Sequence, residues 1–371
     1  MSDSIDILVG GHLCLDLIPG MSHVSVKDMT TPGRLYTIDP IAVSTGGAVS
    51  NTGLALHRLG VNVQLLATVG EDLIGQMILM YLRLRDPKLA ALITIKNGQP
   101  SSSTIALSPA NTDRTFLHCT GTNDSFGVGD INFDLVGQVK IFHFGYPTLL
   151  PHVVEDNGED LQAIFARAKA TGVVTSLDMA QPDPNGRIAH LNWPLIFQRT
   201  LPNVDIFLPS IEEMVLTLRR DEYDRWMPNI MGHITRNYLC DLAEELLAMG
   251  VVIAGFKLGE MGMYLRTGKA EQFQRLARLN LNTQEWADQE LWIPAFEVNV
   301  KGTTGAGDSA YAGFLTALLK KSSPHEALRW ACAVGACNVE AADATNGIKT
   351  WVETEARLAS DWATRPERLP D

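Results

Sequence analysis

The chain has 371 residues, of which 46% are hydrophobic, and this is enough to form one large α/β domain or two smaller ones. Its formal net charge of −12 disfavours a broad nucleic-acid or anionic-membrane surface, because both require clustered Lys and Arg. We therefore expect neither a nucleic-acid nor a membrane partner. A local cationic or amide-lined pocket for a phosphate remains compatible with this charge.

Five scattered cysteines, with no Cys-x-x-Cys pair, indicate reduced thiols rather than a disulfide framework or a zinc site. The acidic N-terminus leads directly into a strand-like segment, unlike a secretory signal. No apolar run reaches the ~20 residues that a membrane helix needs. We therefore expect a cytoplasmic protein.

Short apolar runs alternate with helical patterns along the chain. Several of the runs are apolar almost throughout, which is typical of strands buried on both faces. The alternation predicts an α/β fold with a mostly parallel central sheet and helices on both faces. Strand candidates are 5–17, 64–69, 140–144, 173–177, 205–208 and 251–258, and helix candidates are 49–59, 73–85, 160–170 and 238–249.

Two stretches, 18–45 and 101–121, interrupt this pattern with alternating polar and apolar residues, and the second has a turn-like centre at 111–114. They predict β-hairpins that form a small lid over a pocket. Polar insertions are expected at 219–237 and 268–290. The chain from Glu353 is polar, so we expect one domain over residues 1–352 and a loose tail over 353–371.

A glycine-rich run, Thr303-Thr304-Gly305-Ala306-Gly307-Asp308, precedes a well-defined apolar helix pattern. Backbone N–H groups at a helix N-terminus form an anion site, as phosphoryl transfer requires. A carboxylate at this point can accept the proton of an attacking hydroxyl. Alternatively, Asp308 only caps the helix. Gly127-Val128-Gly129-Asp130 repeats the Gly-x-Gly-Asp form without a long helix, so this short motif is not specific alone.

A second glycine motif extends from Thr45 to Gly60 and contains Gly46-Gly47-Ala48-Val49-Ser50-Asn51. Together with the run ending at Asp308, it resembles the two signatures of the ribokinase-like (PfkB) carbohydrate kinase family, in the same order and with a similar wide separation. The resemblance covers roughly Ile5 to Gly347. It implies a three-layer ribokinase-like sandwich with a small β lid, and an enzyme that uses ATP and Mg²⁺.

The resemblance also implies roles for individual residues. Asp308 would be the catalytic base, and the remaining roles fall into three groups. The amides of Gly305, Ala306 and Gly307 would form the anion hole; Asp16, Gly46, Gly47 and Asn51 would bind substrate hydroxyls; and Lys257, Gly259, Gly262 and Thr304 would lie near the nucleotide. Glu213 would organise water around Mg²⁺. Simpler interpretations stay open: Asn51 as a helix cap, Glu213 as a surface charge, and Lys257 as the partner of a carboxylate.

Four positions depart from the family pattern. Gly302 replaces the usual Asp, which leaves activation by a monovalent cation open. Ser210 replaces the Asn of Asn-x-x-Glu, Ala48 replaces the Lys of true ribokinases, and Cys332 replaces an Asn near the adenine. Asp183-Pro184-Asn185-Gly186-Arg187, with Trp193 beyond, resembles a fructokinase-like and ketodeoxygluconate-kinase-like segment, in which Arg187 could pair with an acidic substrate. Alternatively, the segment is a plain loop with a surface Arg.

The sequence therefore predicts transfer of the ATP γ-phosphate to a primary hydroxyl of a sugar or sugar acid. Two alternatives remain: a nucleoside kinase on the same fold, and a non-catalytic sugar- or nucleotide-binding sensor. A homodimer through the lid is compatible with the family. The sugar, the reacting hydroxyl and the preferred phosphoryl donor are not determined.

Overall fold

The computed structural model describes residues 4–21, 23–26, 32–109, 115–366 and 369–370. In these residues the chain forms a nine-stranded sheet, flanked by helices, and a separate four-stranded sheet. The strands are β1 Ile7–Gly11, β2 Cys14–Gly20, β3 Asp39–Gly46, β4 Val63–Gly70, β5 Leu92–Lys96, β6 Ser103–Leu107, β7 Thr115–Cys119, β8 Ile141–Gly145, β9 Val174–Asp178, β10 Ile206–Phe207, β11 Ile253–Lys257, β12 Met263–Thr267 and β13 Glu290–Ile293.

The helices cover both faces of the large sheet, as alternation of strands and helices requires. Helix α4 contains a non-helical kink at residues 155–158. The α-helices are α1 Ala48–Arg58, α2 Leu73–Arg83, α3 Phe133–Val136, α4 Pro151–Ala170, α5 Trp193–Thr200, α6 Ile211–Leu218, α7 Arg220–Trp226, α8 Arg236–Ala248, α9 Thr283–Trp286, α10 Ala306–Leu319, α11 Pro324–Asn338 and α12 Trp351–Leu358.

The large sheet has the strand order β13-β12-β11-β10-β9-β8-β1-β4-β5. Pairing is parallel from β5 to β11 and antiparallel from β11 to β13. The predicted α/β fold with a mostly parallel central sheet is therefore confirmed. Because the carboxyl ends of parallel strands share one edge, the loops that follow them converge there and form the usual ligand crevice of this kind of sheet.

The single strand predicted over 5–17 is wrong, because the chain changes sheets between Gly11 and Cys14. Gly11 has φ +124°, and a Cβ there would lie 2.3 Å from the carbonyl oxygen of Gly145. Only glycine tolerates both the conformation and this close approach. The break directs β2 out of the large sheet, so that Asp16 lies in the small one.

The small sheet has the order β3-β2-β6-β7, and most of its strand residues fall within the predicted lid segments. The predicted turn at 111–114 lies outside the described residues. Successive side chains of a strand point to opposite faces. One row across the sheet is therefore Ser44, Asp16, Thr104 and His118, and the row on the other face is Val43, Leu17, Ile105 and Leu117.

Helices α10 and α11 pack against each other and against the sheet, with most of their residues buried. A reciprocal capping box starts α11, in which the Ser323 hydroxyl accepts a hydrogen bond from the Glu326 N–H. Tyr311 extends from α10 into the sheet, where its hydroxyl donates to the carbonyl oxygens of Leu177 and Ile206 at 3.0 and 3.2 Å. These contacts fix α10, and therefore its N-terminus, relative to the strand ends.

The C-terminal segment is more ordered than its polar composition predicts. Thr350 and Glu353 form a reciprocal capping box that starts α12, so the predicted tail boundary at Glu353 falls inside a helix. Beyond this helix, the Trp362 ring stacks on Phe296 at 4.3 Å between centroids. The described residues from 353 onward are thus not a loose tail, as we expected from composition. The capping signal at Thr350 and Glu353 is not visible in composition alone.

The regions 219–237 and 268–290 also contain packed elements. Besides α7 and α9, a 3₁₀ segment covers Ala270–Leu279, and Tyr223, Phe273 and Trp286 are buried. Within the part of the chain that the structure describes, no helix has the length and apolar character to cross a lipid bilayer.

Candidate active site

Asp308 lies in the first turn of α10, at the edge of the sheet where the parallel strands end. Gly305 precedes the helix with φ +72°, and a Cβ there would lie 2.7 Å from the carbonyl oxygen of Ala344. The turn therefore needs glycine for both its conformation and its close packing. Because the first N–H groups of a helix lack partners within the helix, this end is suited to an anion. One amide is already engaged, since the Ala306 N–H donates to Thr303 at 3.2 Å.

The Asp308 carboxylate is only 2% exposed and accepts three hydrogen bonds from side chains. Oδ2 accepts from Asn51 Nδ2 at 3.1 Å and from the Tyr146 hydroxyl at 2.7 Å, and Oδ1 accepts from the Thr52 hydroxyl at 3.3 Å. Three donors on one side chain fix the orientation of the carboxylate. The carboxylate does not act as a simple helix cap, because Gly305 occupies the N-cap position.

Asn51 lies inside α1, whose N-cap is Gly47, so the interpretation of Asn51 as a helix cap is excluded. Its amide nitrogen points to Asp308, and its oxygen Oδ1 is buried without a hydrogen-bond partner among the described residues. A buried acceptor left unpaired costs free energy. Asn51 is thus poised to accept a hydrogen bond from a hydroxyl bound beside Asp308.

A polar cluster lies between the small sheet and the start of α1. A Cβ on Gly46 would lie 2.1 Å from Asp16 Oδ2, and one on Gly47 would lie 2.3 Å from His12 Nδ1. The two glycines therefore allow the backbone to approach these side chains closely. Asp16 is held by the Cys14 thiol at 3.3 Å, and burial raises the pKa of its carboxyl to about 6.

Two histidines border this cluster. Burial, together with nearby His118, lowers the pKa of His12 to about 3, so His12 is neutral, and both of its ring nitrogens lack partners among the described residues. His118 lies across the small sheet from Asp16, with Nδ1 3.0 Å from the Thr104 hydroxyl, and burial lowers its pKa. The two rings lie 5.3 Å apart. The cluster therefore consists of one carboxyl group and several neutral polar groups.

A cavity of about 550 Å³ borders Asp308. Among the predicted site residues, it is lined by Gly305, Ala306, Gly307, Asp308, Lys257, Gly259, Gly262 and Glu213. Thr304 is not part of the lining, whereas its neighbour Thr303 is. The Thr304 carbonyl instead accepts a hydrogen bond from Asn338 Nδ2 at 2.9 Å. The remaining walls are largely apolar and include Val298 and Cys332.

Lys257, at the end of β11, forms a buried ion pair with Asp178 at the end of β9, with 2.6 Å between Nζ and Oδ1. Burial opposes its charge, but Asp178, Glu213 and Asp308 together raise its pKa. A Cβ on Gly307 would lie 3.4 Å from Nζ, so the ammonium group reaches the N-terminus of α10. Lys257 therefore both pairs with a carboxylate, as the simpler interpretation has it, and supplies positive charge to the cavity.

Glu213 is buried and forms a reciprocal capping box with Ser210, whose N–H donates to Oε2 at 2.7 Å. The interpretation of Glu213 as a surface charge is therefore wrong. Burial raises its pKa. Within the described ranges no group of three or more His, Cys, Asp or Glu side chains could hold a metal ion. Glu213 and neighbouring Glu212 line the cavity and suit a hydrated cation that takes its other ligands from phosphates.

Other predicted features lie away from the cavity. Arg187 is exposed and pairs with Glu155, and Trp193 is fully buried in the core. Asp130 accepts hydrogen bonds from Lys96 and from the Gly127 N–H, each at 2.9 Å, so the second Gly-x-Gly-Asp motif is structural.

Gly302 packs close to the backbone of the loop that follows α11. A Cβ at this position would lie 2.8 Å from the carbonyl oxygen of Ala342. The Asp that the family usually has here would therefore require this backbone to shift. Glycine at position 302 therefore belongs to the close packing of this loop. Activation by a monovalent cation stays open.

The structure adds two residues that sequence reasoning missed, Thr52 and Tyr146. Thr52 directly follows Asn51 in the glycine motif, so its place on α1 was a usable signal. Tyr146 follows β8 with the left-handed φ of +64°. Its position after a buried strand, where ligand-binding residues collect, was the only signal for it.

Together these features define a class of protein: an α/β enzyme with a buried carboxylate between a lid-side polar cluster and an anion-binding cavity. Residues 11–351 match the family model described as pfkB family carbohydrate kinase, and the chain therefore belongs to that family. The predicted family and enzyme class are confirmed.

Relatives and solved structures agree with this assignment over most of the chain. The chain is 23% identical to a fructokinase of Solanum tuberosum, over 93% of this chain and 92% of that one. It is 24% identical to a 2-dehydro-3-deoxygluconokinase of Bacillus subtilis, over 86% and 87%. The structure of an Arabidopsis thaliana ribokinase with ribose and ATP superposes with a TM-score of 0.71 at 17% identity, over 96% and 100%. This last similarity confirms the ribokinase-like fold.

Asp16→Asn tests the buried carboxyl of the lid-side cluster. Because the folded-state pKa of about 6 exceeds the ordinary aspartate pKa of 3.8, folding favours the protonated form of Asp16. Above pH 6 the ionised, buried carboxylate costs stability. Asp16→Asn should therefore stabilise the protein by about 1–3 kcal/mol at pH 8. The gain should shrink as pH falls through 6 and vanish below the unfolded-state pKa.

Denaturant unfolding at pH 4, 6 and 8 measures this effect. Exposed Asp241→Asn, in α8, is the matched control and should follow the unaltered protein at each pH. Equal stabilities of Asp16→Asn and the unaltered protein at pH 8 would contradict a buried, ionised Asp16.

Proposed function

We propose that this protein transfers the γ-phosphate of ATP to a primary hydroxyl of a sugar, with Asp308 as the catalytic base. The observation that carries the proposal is the position of Asp308. Its buried carboxylate lies at the N-terminus of α10, is oriented by three donors, and borders both the cavity and the polar cluster under the lid.

The acceptor sugar binds between the lid and α1. Its hydroxyls donate to the Asp16 carboxylate and to the unpaired Oδ1 of Asn51. A side chain at Gly46 or Gly47 would clash with Asp16 or His12, so glycine at both positions keeps these polar groups in place. One primary hydroxyl then faces Asp308. A carboxylate and an amide suit adjacent hydroxyls because each satisfies donors that would otherwise lose their hydrogen bonds to water.

In the chemical step the acceptor oxygen attacks the γ-phosphorus and its proton passes to Asp308. The bond between the γ-phosphorus and the bridging oxygen to the β-phosphate breaks, and ADP leaves. Charge on the transferring group is stabilised by the amides of Gly305 and Gly307 at the helix N-terminus and by the Lys257 ammonium group. Ala306 contributes only after its N–H leaves the Thr303 carbonyl.

Mg²⁺ fits the acidic side of the cavity, where Glu213 would hold it through water. When bound, the ion neutralises charge on the phosphates. Ser210 donates its N–H to Glu213, so the replacement of the family's Asn retains an oriented carboxylate at this place.

A neutral sugar is favoured over a sugar acid. Among the described residues, the polar side chains near Asp16 include a thiol, a hydroxyl and a histidine with a lowered pKa, from Cys14, Thr104 and His118. Arg187, the cation that the sequence offered for an acidic substrate, lies on the surface and pairs with Glu155. We therefore propose a neutral sugar as the acceptor class, as the similarity to the Solanum tuberosum fructokinase also suggests.

Asp308→Asn should lower the rate of ADP release at least 10³-fold, because the amide keeps the shape of the carboxylate but cannot accept the proton. ATP affinity, measured by calorimetry, should change less than about threefold. The matched control is Asp130→Asn, the same substitution in the other Gly-x-Gly-Asp motif, and it should retain turnover. Activity of Asp308→Asn within tenfold of the unaltered enzyme would exclude Asp308 as the base.

The same assay with fructose, ribose, 2-dehydro-3-deoxygluconate and nucleosides tests the acceptor class. We expect the highest kcat/KM for the neutral sugars. A higher value for the sugar acid would contradict the neutral-sugar assignment, and a higher value for a nucleoside would favour the nucleoside kinase alternative. Binding of a sugar without turnover of any acceptor would favour the sensor.

The outer face of the lid suits a homodimer. Its apolar row includes Val43, Ile105 and Leu117, which are 40%, 39% and 54% exposed, and Ile41 beside them is 55% exposed. A contiguous exposed apolar patch of this kind marks an interaction surface. Because the opposite face of the same strands carries Asp16 and Thr104, pairing of two lids would also stabilise the acceptor site.

Leu117→Glu should therefore shift the protein toward the monomer and raise the KM for the sugar. Light scattering coupled to size-exclusion chromatography measures the mass. Leu84→Glu, at a position 74% exposed at the end of α2, is the control and should leave the mass unchanged. A monomeric unaltered protein at micromolar concentration would exclude this dimer.

A further inference from the structure

The chain continues beyond residue 351, where the match to the family ends, and its last described part follows the wall of the nucleotide cavity. We call residues 359–366 the C-terminal strap. The strap pairs with the segment that follows β13. Thr364 forms an antiparallel bridge with Phe296, the Arg365 N–H donates to Ala295 at 2.8 Å, and the Glu297 N–H donates to Ala363 at 2.9 Å.

Trp362 anchors the strap at its beginning. Its ring stacks on Phe296 with 4.3 Å between centroids, and its indole N–H donates to the Glu297 carbonyl at 2.9 Å. The Arg357 guanidinium lies 3.7 Å from the centroid of the Trp362 ring and forms a bidentate pair with Glu340. These contacts hold the strap against α12 and against the cavity wall at the same time.

Arg365 links two separate walls of the cavity. Its guanidinium lies 3.0 Å from Glu260 in the turn after β11, while its backbone is paired with Ala295. Arg365, Glu260, Ala295 and Phe296 all line the cavity. Among the described residues of the strap, Arg365 is the one that lines the cavity, and it adds to the lining that the family domain provides.

The lining of the cavity has a polar part and an apolar part. Asp308, Lys257 and the first turn of α10 are polar and suit phosphates, whereas the apolar lining suits a nucleobase. The apolar part comprises Met263, Phe296, Val298, Cys332, Ala336 and Val339. Because Phe296 belongs to this apolar part and carries the strap, the strap borders the nucleobase rather than the phosphates.

We propose that Arg365 and the C-terminal strap form a binding element for the nucleoside part of the phosphoryl donor. The guanidinium covers the bound nucleoside, and the link to Glu260 retains it while transfer occurs. Planar guanidinium groups stack on bases and on aromatic rings. The proposal rests on the proposed function in one respect, namely that the cavity takes ATP.

The attachment of the strap is suited to opening. It consists of a few backbone hydrogen bonds, the contacts of Trp362 with Phe296, Glu297 and Arg357, and an ion pair whose Glu260 side chain is 71% exposed. Exposed ion pairs contribute little stability, and segments with few buried contacts open without unfolding the core. The strap can therefore move aside for nucleotide entry and product release while the sheet and α10 stay in place.

Arg365→Ala in the full-length protein tests this proposal. We expect KM for ATP and the dissociation constant for ADP to rise about tenfold, whereas KM for the sugar should change less than twofold. Arg365→Lys should recover part of the loss, because it keeps the charge but not the planar group. The matched control is Arg236→Ala, which removes another surface arginine paired with a glutamate, Glu290, outside the cavity lining.

A second variant ends the chain after Leu358 and should raise KM for ATP further, and a chain ending after Pro366 controls for the loss of the last residues. Equal KM values for ATP in Arg365→Ala and Arg236→Ala would overturn the proposal. The proposal would also be overturned if Arg365→Ala lowered the melting temperature and changed KM for ATP and KM for the sugar equally. That pattern indicates a purely structural strap. If the unaltered protein binds no ATP, the proposed function fails together with the strap.

Discussion

The site depends on one buried carboxylate, at the start of a helix, that is held by hydrogen bonds from distant parts of the chain. Removing a charge from water is costly unless hydrogen bonds and favourable charges replace the solvent. Asp308 receives these from the positive end of α10 and from Asn51, Thr52 and Tyr146. The donors are 257, 256 and 162 residues away along the chain. The carboxylate is therefore stable only when α1, β8 and α10 are in register.

This requirement explains why the close backbone contacts lie where they do. Gly11 lets the chain leave the large sheet beside Gly145, so that β2 carries Asp16 toward α1. Gly47 starts α1 against His12, and Gly305 starts α10 against Ala344. Each glycine brings a helix or strand end toward the same edge of the sheet. The small sheet, the polar cluster beside it and the position of the α10 N-terminus are thus consequences of a few close backbone contacts.

Much of the candidate site could be inferred from local patterns. The two glycine motifs, at 45–60 and 303–308, identified α1, α10 and most residues around Asp308. The sequence also contains a second Gly-x-Gly-Asp motif, which ends at Asp130. Only the pairing of Asp130 with Lys96 shows that this motif is structural. Thr303 rather than Thr304 lines the cavity, and a glycine-rich turn does not reveal in advance which side chain faces it.

Contacts between distant segments could not be inferred in this way. Tyr146 has no motif around it. Its contact with Asp308 exists only because β8 ends, and α10 begins, at the same edge of the sheet. The strap was read as a loose tail, because its polar composition hides two long-range contacts, Trp362 with Phe296 and Arg365 with Glu260.

By itself, the sequence determined the alternation of strands and helices, the family, and the carboxylate most suited to act as a base, because these depend on local periodicity and on glycine conformations. Only the tertiary structure decided which donors hold that carboxylate, that Lys257 pairs with Asp178 beside the anion site, and that the chain beyond residue 351 returns to the cavity. The physical reason is that hydrogen bonds and ion pairs between remote segments require the strand order and register of the folded sheet.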